Sequence, residues 1–347
     1  MAALSFSAAG HPYLHSRNRL NIRYALGLAA VLLLPALPMA GQSRTSQPEE
    51  DPQLPELAAR LASVPAVTGY ERSLVDTLIR LLPGSARDRA GNAWLTLGGR
   101  SGKRLVVCPL DEPGYVVGGI REDGYLTLRR VPGPVPPLFD QQLEGHRVTV
   151  QGRRGPVPGV VAVRSIHLTR GRKVADDAPF TVDDAYVDVG AASRAEAAAL
   201  GLAVLAPVTL AKRPHRYGDG LLAAPVVGRR AACASLVLAV RQSILRAKTI
   251  PPVLVAFAVE QELSERGLAT LAHASGPFDE ALIVDGGPGA LGALQQRPDS
   301  AIKWTDLGRV TRWSLPVAYE GTAVETVRLA DAESLREALV KWIGGDR

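Results

Sequence analysis

The chain has 347 residues, of which 46% are hydrophobic and 21% are charged, a composition typical of a globular protein of about two domains. Its formal net charge is +6, but Arg17, Arg19 and Arg23 lie in a segment that we expect to be removed, and without these three the charge is +3. A charge this small gives no indication of a nucleic-acid partner.

The N-terminal segment predicts export. Basic residues are followed by a short apolar run at 25–40 and then by a polar, proline-containing stretch at 41–53. These are the features of a secretory signal that is cleaved after Ala40. The apolar run is shorter than the ~20 residues of a spanning helix. We therefore expect a signal peptide at 1–40, a disordered tether at 41–53, and a periplasmic or extracellular protein with no stable membrane span. An uncleaved membrane anchor is the alternative.

Residues 54–118 and 218–347 alternate between helical and apolar-strand patterns. Thr68 and Glu71 have capping-box spacing, so a helix is predicted to begin there. Strands are predicted at 93–97, 104–107, 253–259 and 281–284. Helices are predicted near 267–273 and around an apolar face that contains Cys233, Leu236, Val240 and Ile244. The alternation is typical of an α/β domain, a mixed sheet flanked by helices.

Residues 119–217 have a different character. Short β-rich segments at 125–130, 147–151, 157–163 and 203–210 are separated by Gly and Pro turns, which favours a small β-barrel inserted into the α/β domain. One helix interrupts these strands. Ser193 and Glu196 have capping-box spacing and Gly201 provides a stop, so residues 194–200 are predicted to be helical.

The two cysteines, Cys108 and Cys233, fall at the end of an apolar strand and on an apolar helix face. We interpret them as small buried side chains rather than as a catalytic thiol or a metal site. A disulfide between them remains open at this level.

Seven ordered segments carry a family resemblance. They are VPAVTGYE at 64–71, DRAGNAW at 88–94, PLDEPGYVVGGIREDGYL at 109–126, VDVGAASRAEAAALG at 187–201, VEQELSERGL at 259–268, IVD at 283–285 and AYEGTAVETVRLAD at 318–331. In this order they resemble the glutamyl or deblocking aminopeptidase family, the tetrahedral aminopeptidases. The resemblance implies a zinc-aminopeptidase-like sheet domain that holds two zinc or cobalt ions, and an inserted barrel used in assembly. It also implies a homo-oligomer or an assembly with an active paralogue, and a peptide as ligand.

The metal ligands that the resemblance implies are mostly replaced. The first histidine falls on Pro109, the bridging aspartate on Val227 and the late histidine on Gly321, and none of these side chains can bind a metal. Glu262 and Asp285 remain as two of the five ligands. A catalytic zinc normally has three protein ligands. The resemblance therefore implies a metal centre that has been lost.

Two further positions concern the chemistry of the implied site. Asp111 stands where the family has an aspartate that steadies the first histidine. The glutamate that takes a proton from the metal-bound water falls on Gln261, which cannot act as a base. The leading hypothesis is therefore a non-catalytic binding or assembly protein that needs no metal cofactor.

The alternative hypothesis is an active metallo-aminopeptidase with an unconventional site. Glu260 and Glu262 would share a face of an extended strand, and with Asp285 and Asp111 they could hold zinc, cobalt or another divalent cation weakly. The simpler interpretation is that these carboxylates are solvated remnants of an ancestral pocket.

Overall fold

The computed structural model describes residues 53–99, 103–162, 179–246, 249–299, 302 and 304–345. All of them belong to one compact unit, Glu50–Arg347. The expected signal peptide and residues 41–52 of the expected tether lie outside the described residues. None of the helices described is long and apolar enough to cross a membrane.

The described residues of this unit form six α-helices and sixteen strands. The helices are α1 (Leu54–Ala62), α2 (Arg72–Leu81), α3 (Arg194–Ala199), α4 (Val227–Arg246), α5 (Arg266–Ser275) and α6 (Leu329–Gly344). The strands are β1 (Ala86–Arg87), β2 (Ala93–Leu97), β3 (Arg104–Pro109), β4 (Tyr115–Ile120), β5 (Leu126–Arg130), β6 (Arg147–Gly152), β7 (Gly155–Val161), β8 (Tyr186–Asp188), β9 (Pro207–Leu210), β10 (His215–Tyr217), β11 (Leu221–Ala223), β12 (Val253–Ala258), β13 (Glu280–Pro288), β14 (Gln295–Pro298), β15 (Arg309–Val317) and β16 (Thr326–Arg328).

A seven-stranded mixed sheet forms the centre of the α/β domain. Its strand order is β1-β2-β12-β3-β13-β15-β14, and the four strands β12, β3, β13 and β15 are parallel. The outer strands β2 and β14 are antiparallel to their neighbours. The carboxyl ends of the four parallel strands therefore meet at one edge, which is where open α/β sheets carry their binding sites.

Strand β3 shows how the sheet is buried on both faces. Val106 and Cys108 belong to the apolar cluster that contains α1, α2, α4 and α6, whereas Leu105 and Val107 belong to the cluster that contains α5. Side chains alternate along a strand, so a strand covered on both faces is a continuous apolar run. This explains why the segment 104–109 has no polar residue after Arg104.

A closed six-stranded barrel is inserted between β3 and α4. Its strand order is β4-β5-β8-β7-β6-β9, and its interior is an apolar cluster that includes Tyr115, Leu126, Val150 and Val208. The first barrel strand begins at Tyr115, four residues before the boundary expected from the sequence. The α/β fold with an inserted barrel agrees with the predicted fold class.

Local predictions had mixed outcomes. The Ser193 hydroxyl accepts a hydrogen bond from the Glu196 amide, as predicted for the start of α3. The prediction of a Thr68–Glu71 capping box was wrong, because helix α2 begins at Arg72 and neither side chain caps it. Ile244 is 49% exposed, so it does not share the buried face of α4.

The two cysteines form a disulfide, the possibility that the sequence left open. Their Cα atoms lie 5.6 Å apart, and both residues are buried. The bond joins the end of β3 to the second turn of α4. Burial of both residues agrees with the sequence interpretation, but the pairing depends on the packing of a helix against a strand 125 positions away.

Candidate functional site

Three carboxylates predicted from the sequence meet at the edge formed by the parallel strands. Asp111 follows β3, Glu262 follows β12, and Asp285 lies within β13. Their side chains are 0%, 12% and 8% exposed, respectively. Tertiary packing therefore brings together residues from three separate parts of the chain.

The guanidinium group of Arg229 lies among these carboxylates. Its Nε and Nη2 atoms donate to the two oxygens of Asp285 at 2.9 and 3.2 Å, and Nη1 lies 3.1 Å from Glu262 Oε1. Nη1 also donates to the backbone oxygen of Asp111 and lies 3.8 Å from its carboxylate. Arg229 stands in the first turn of α4, so this helix supplies the cation of the cluster.

The surroundings of Arg229 and Glu262 shift the pKa values of these two side chains. Burial disfavours the charged guanidinium, but Asp285, Asp111 and Glu262 together raise the pKa of Arg229. Burial raises the pKa of Glu262, although Arg229 acts in the opposite direction. Arg229 is therefore a permanent cation in this cluster.

Asp111 has a structural role that the sequence did not suggest. Its carboxylate accepts hydrogen bonds from the amides of Gln261 and Glu262 and from the hydroxyl of Thr68, each at 2.9 Å. It therefore holds the turn after β12 against the loop before α2. Because the Thr68 hydroxyl donates to Asp111, Thr68 does not cap helix α2.

The expected pairing of Glu260 and Glu262 on one strand face was wrong. Strand β12 ends at Ala258, and Glu260 has a positive φ of 54° in the turn that follows. Its carboxylate lies 3.3 Å from Arg266. A turn points successive side chains in unrelated directions, so Glu260 does not join the carboxylates around Arg229.

The structure shows the surroundings of each position at which the resemblance implies a replaced ligand or base. Pro109 ends β3 in register with Ala258, and Val227 is fully buried at the start of α4. The Gln261 amide group donates to Glu265 at 2.9 Å. Gly321 has a φ of 69°, and a Cβ there would come within 2.6 Å of Pro136. A histidine at 321 would therefore require the facing loop to move.

A second buried ion cluster was missed by the sequence analysis. Glu112 contacts Lys212 and lies 3.2 Å from Arg230, and its other oxygen accepts a bond from the Ala66 amide at 2.8 Å. Lys212 follows β9, so the cluster joins the barrel to the α/β domain. The Arg-Arg doublet inside the apolar pattern of α4 was the available signal, because charged residues in a buried helix require partners.

A cavity of about 330 Å³ lies over this edge. Arg229, Glu262 and Asp285 line it on the sheet side, while Lys212 and Thr209 line it from the barrel side. Apolar residues form much of the remaining wall, including Pro113, Pro134, Val135, Pro136, Phe139, Pro225, Val226 and Val317. A cavity with an apolar wall and a few charged groups is typical of a small-ligand site.

The residues at this edge do not fit the two metal ions that the resemblance implies. Pro109, Val227 and Gly321 offer no side-chain donor, and the oxygens of Asp285 and Glu262 accept bonds from Arg229. Across the described residues, no group of three or more His, Cys, Asp or Glu side chains is arranged to hold a metal.

Glu71 should make the stability of the protein depend on pH. Burial raises the pKa of this carboxyl to about 7, although the amides of Gly69 and Glu260 donate to it. Between about pH 4.5 and 7 the unfolded chain loses this proton while the folded chain keeps it, so the stability contribution of Glu71 decreases as the pH rises. Glu71→Gln should abolish this part of the pH dependence, which urea unfolding at several pH values would measure.

Wild type and Glu71→Gln should differ little at pH 4 and increasingly above it, with the variant more stable at pH 8. Glu144→Gln, at an exposed position, serves as the control and should follow wild type. Parallel pH profiles of Glu71→Gln and wild type would contradict the assignment.

Comparison with known proteins agrees with the class that fold and site define, an aminopeptidase-like α/β domain with an inserted barrel. The sequence profile of the M42 glutamyl aminopeptidase family matches residues 91–307. This chain therefore belongs to that family.

Curated relatives include the putative aminopeptidase SgcX of Escherichia coli, which is 28% identical over 63% of this chain and 59% of its own length. The lysyl aminopeptidase of Pyrococcus furiosus is 27% identical over 64% of this chain and 63% of its own length. The chain thus aligns with less than two thirds of the length of these relatives.

Solved structures show the same fold. The TET1 peptidase of Pyrococcus horikoshii, which can assemble into a tetrahedron or a large octahedral shell, matches with a TM-score of 0.75 at 22% identity over 84% of this chain and 99% of its own. An aminopeptidase from the archaeon Desulfurococcus kamchatkensis matches with a TM-score of 0.72 at 20% identity, over 84% of this chain and 94% of its own.

Proposed function

We propose that this protein is a non-catalytic, exported member of the M42 family that binds a peptide or another small ligand in the cavity over its strand ends. The observation that carries the proposal is a cavity over the strand ends in a chain that has Pro109, Val227 and Gly321 where the resemblance implies metal donors. Gln261 stands at the position of the base and donates to Glu265. The proposal therefore separates ligand binding from hydrolysis.

Export is part of this proposal. The apolar run at 25–40 has the features of a secretory signal, and the Cys108–Cys233 disulfide suits an oxidising compartment. We also propose that the inserted barrel mediates assembly with further copies of the chain or with an active paralogue. The assembly recorded for the Pyrococcus horikoshii TET1 peptidase supports this part.

Measurements of metal content and of turnover test whether the protein is non-catalytic. Purified protein should contain substoichiometric zinc, cobalt and manganese, and it should not hydrolyse aminoacyl anilides when any of these ions is added. Stoichiometric metal together with cation-dependent turnover would refute the proposal. Loss of that turnover in Glu262→Ala or Asp285→Ala would then assign an active unconventional site.

Ligand binding is tested separately by thermal shift with a panel of short peptides. Val135 lines the cavity, so Val135→Trp should fill part of it and abolish any peptide-induced shift. Val204 is 55% exposed and does not line the cavity, so Val204→Trp is the matched control and should keep the shift.

A further inference from the structure

We propose that Arg229 is the resident cation of the strand-edge carboxylates, so that neither the fold nor the cavity of this chain depends on a divalent metal. The proposal concerns stability rather than activity. Its motivation is the position of one guanidinium among three carboxylates from three different elements.

The hydrogen-bond geometry makes Arg229 a cross-link. Its side chain connects α4 to β13 through Asp285, to the turn after β12 through Glu262, and to the loop after β3 through the Asp111 backbone. The bond to Asp285 is bidentate, which fixes the orientation of the planar guanidinium. One side chain thus connects four elements at the floor of the cavity.

The charge balance requires a cation at this point. Three buried or half-buried carboxylates that face one another without a cation would each be disfavoured by burial and by repulsion. Arg312 adds positive charge on one side of the cluster, because its guanidinium lies 3.6 Å from Asp285. Its Nε atom, however, donates to Asp299 at 2.7 Å. Within the described part of the chain, Arg229 is the cation that lies within 4 Å of all three carboxylates.

The position of Arg229 also opposes replacement by a metal. Cys233 lies four residues later on α4 and is covalently joined to β3, so the turn that carries Arg229 is held against the strand. A Ca²⁺ ion would require oxygen ligands at roughly 2.3–2.6 Å. It would have to displace the half-buried guanidinium of Arg229, which would then lack its carboxylate partners.

Removal of Arg229 should convert the cluster into a cation site. Arg229→Ala should lower the unfolding midpoint, and Ca²⁺ or Mn²⁺ should restore part of the loss. The Kd of the Arg229→Ala variant for Ca²⁺ should be roughly 10⁻⁴–10⁻³ M, as for weak oxygen-ligand sites. This Kd should be at least about tenfold lower than the Kd of wild type. Thermal unfolding with and without EDTA, together with calorimetric titration of Ca²⁺, would measure both effects.

Matched variants identify the carboxylates involved. Arg312→Ala removes a neighbouring cation but leaves Arg229 in place, so it should gain no affinity. The triple variant Arg229→Ala, Glu262→Gln, Asp285→Asn should lose the affinity gained by Arg229→Ala. If Arg229→Ala does not fold even with Ca²⁺, the decision rests on wild type and Arg229→Lys, both of which should be indifferent to chelator and to added cation.

A wild-type or Arg229→Lys protein that EDTA destabilises would overturn the inference, as would a folded Arg229→Ala protein with no gain in cation affinity. The turnover assay is a separate measurement. Metal-dependent stability without hydrolysis would overturn this inference alone, and metal-independent hydrolysis would overturn the proposed function alone.

Discussion

Reduction of the Cys108–Cys233 disulfide should lower the free energy of unfolding by about 3–5 kcal/mol, because the bond closes a long loop and restricts the unfolded chain. The sequence separation is 125 residues, and both cysteines lie in the apolar core. Urea unfolding in the presence and absence of dithiothreitol would measure the difference.

The double variant Cys108→Ala, Cys233→Ala is the control for this experiment. It should lose a comparable free energy of unfolding and show no further response to dithiothreitol. If wild type has the same midpoint when its thiols are demonstrably free, the disulfide is not a major contribution to stability.

Replacement of Glu112 should have an effect of similar size. Burial opposes ionisation of this side chain, but Lys212 and Arg230 hold the pKa of its carboxyl below its usual range. Glu112→Gln would leave two buried cations without their carboxylate, so a loss of about 3–5 kcal/mol is expected. Urea unfolding at neutral pH would measure it.

A surface ion pair provides the control for Glu112→Gln. Arg121 donates to Asp123 at 2.9 Å and both side chains are about half exposed, so Asp123→Asn should cost far less than Glu112→Gln. The double variant Glu112→Gln, Lys212→Met removes one of the unpaired cations and should recover part of the loss. Equal losses for Glu112→Gln and Asp123→Asn would contradict the buried-cluster assignment.

Local patterns predicted most elements because the relevant physics is local. Segment 104–107 is apolar at every position after Arg104, as a strand buried on both faces must be, and the Ser193–Glu196 spacing placed the start of α3. The Thr68–Glu71 spacing predicted a cap that does not form. Thr68 instead donates to Asp111, a partner that the spacing could not reveal.

The candidate site was predicted in part. The sequence singled out Glu262, Asp285 and Asp111 as candidate site residues, and the structure places all three at one edge. The sequence analysis did not predict that Arg229 would bind these carboxylates, or that Asp111 would hold the turn after β12. The interpretation of Asp111 as a solvated remnant was wrong, because its carboxylate is buried and accepts three hydrogen bonds.

The sequence by itself determined the fold class and the family, because these depend on periodicity and on residue identity. Tertiary structure alone decided the Cys108–Cys233 pairing, the cavity and the partners of the surviving charges. These contacts join residues that are distant in the chain, and their geometry is fixed only when α4 packs against the carboxyl ends of the parallel strands.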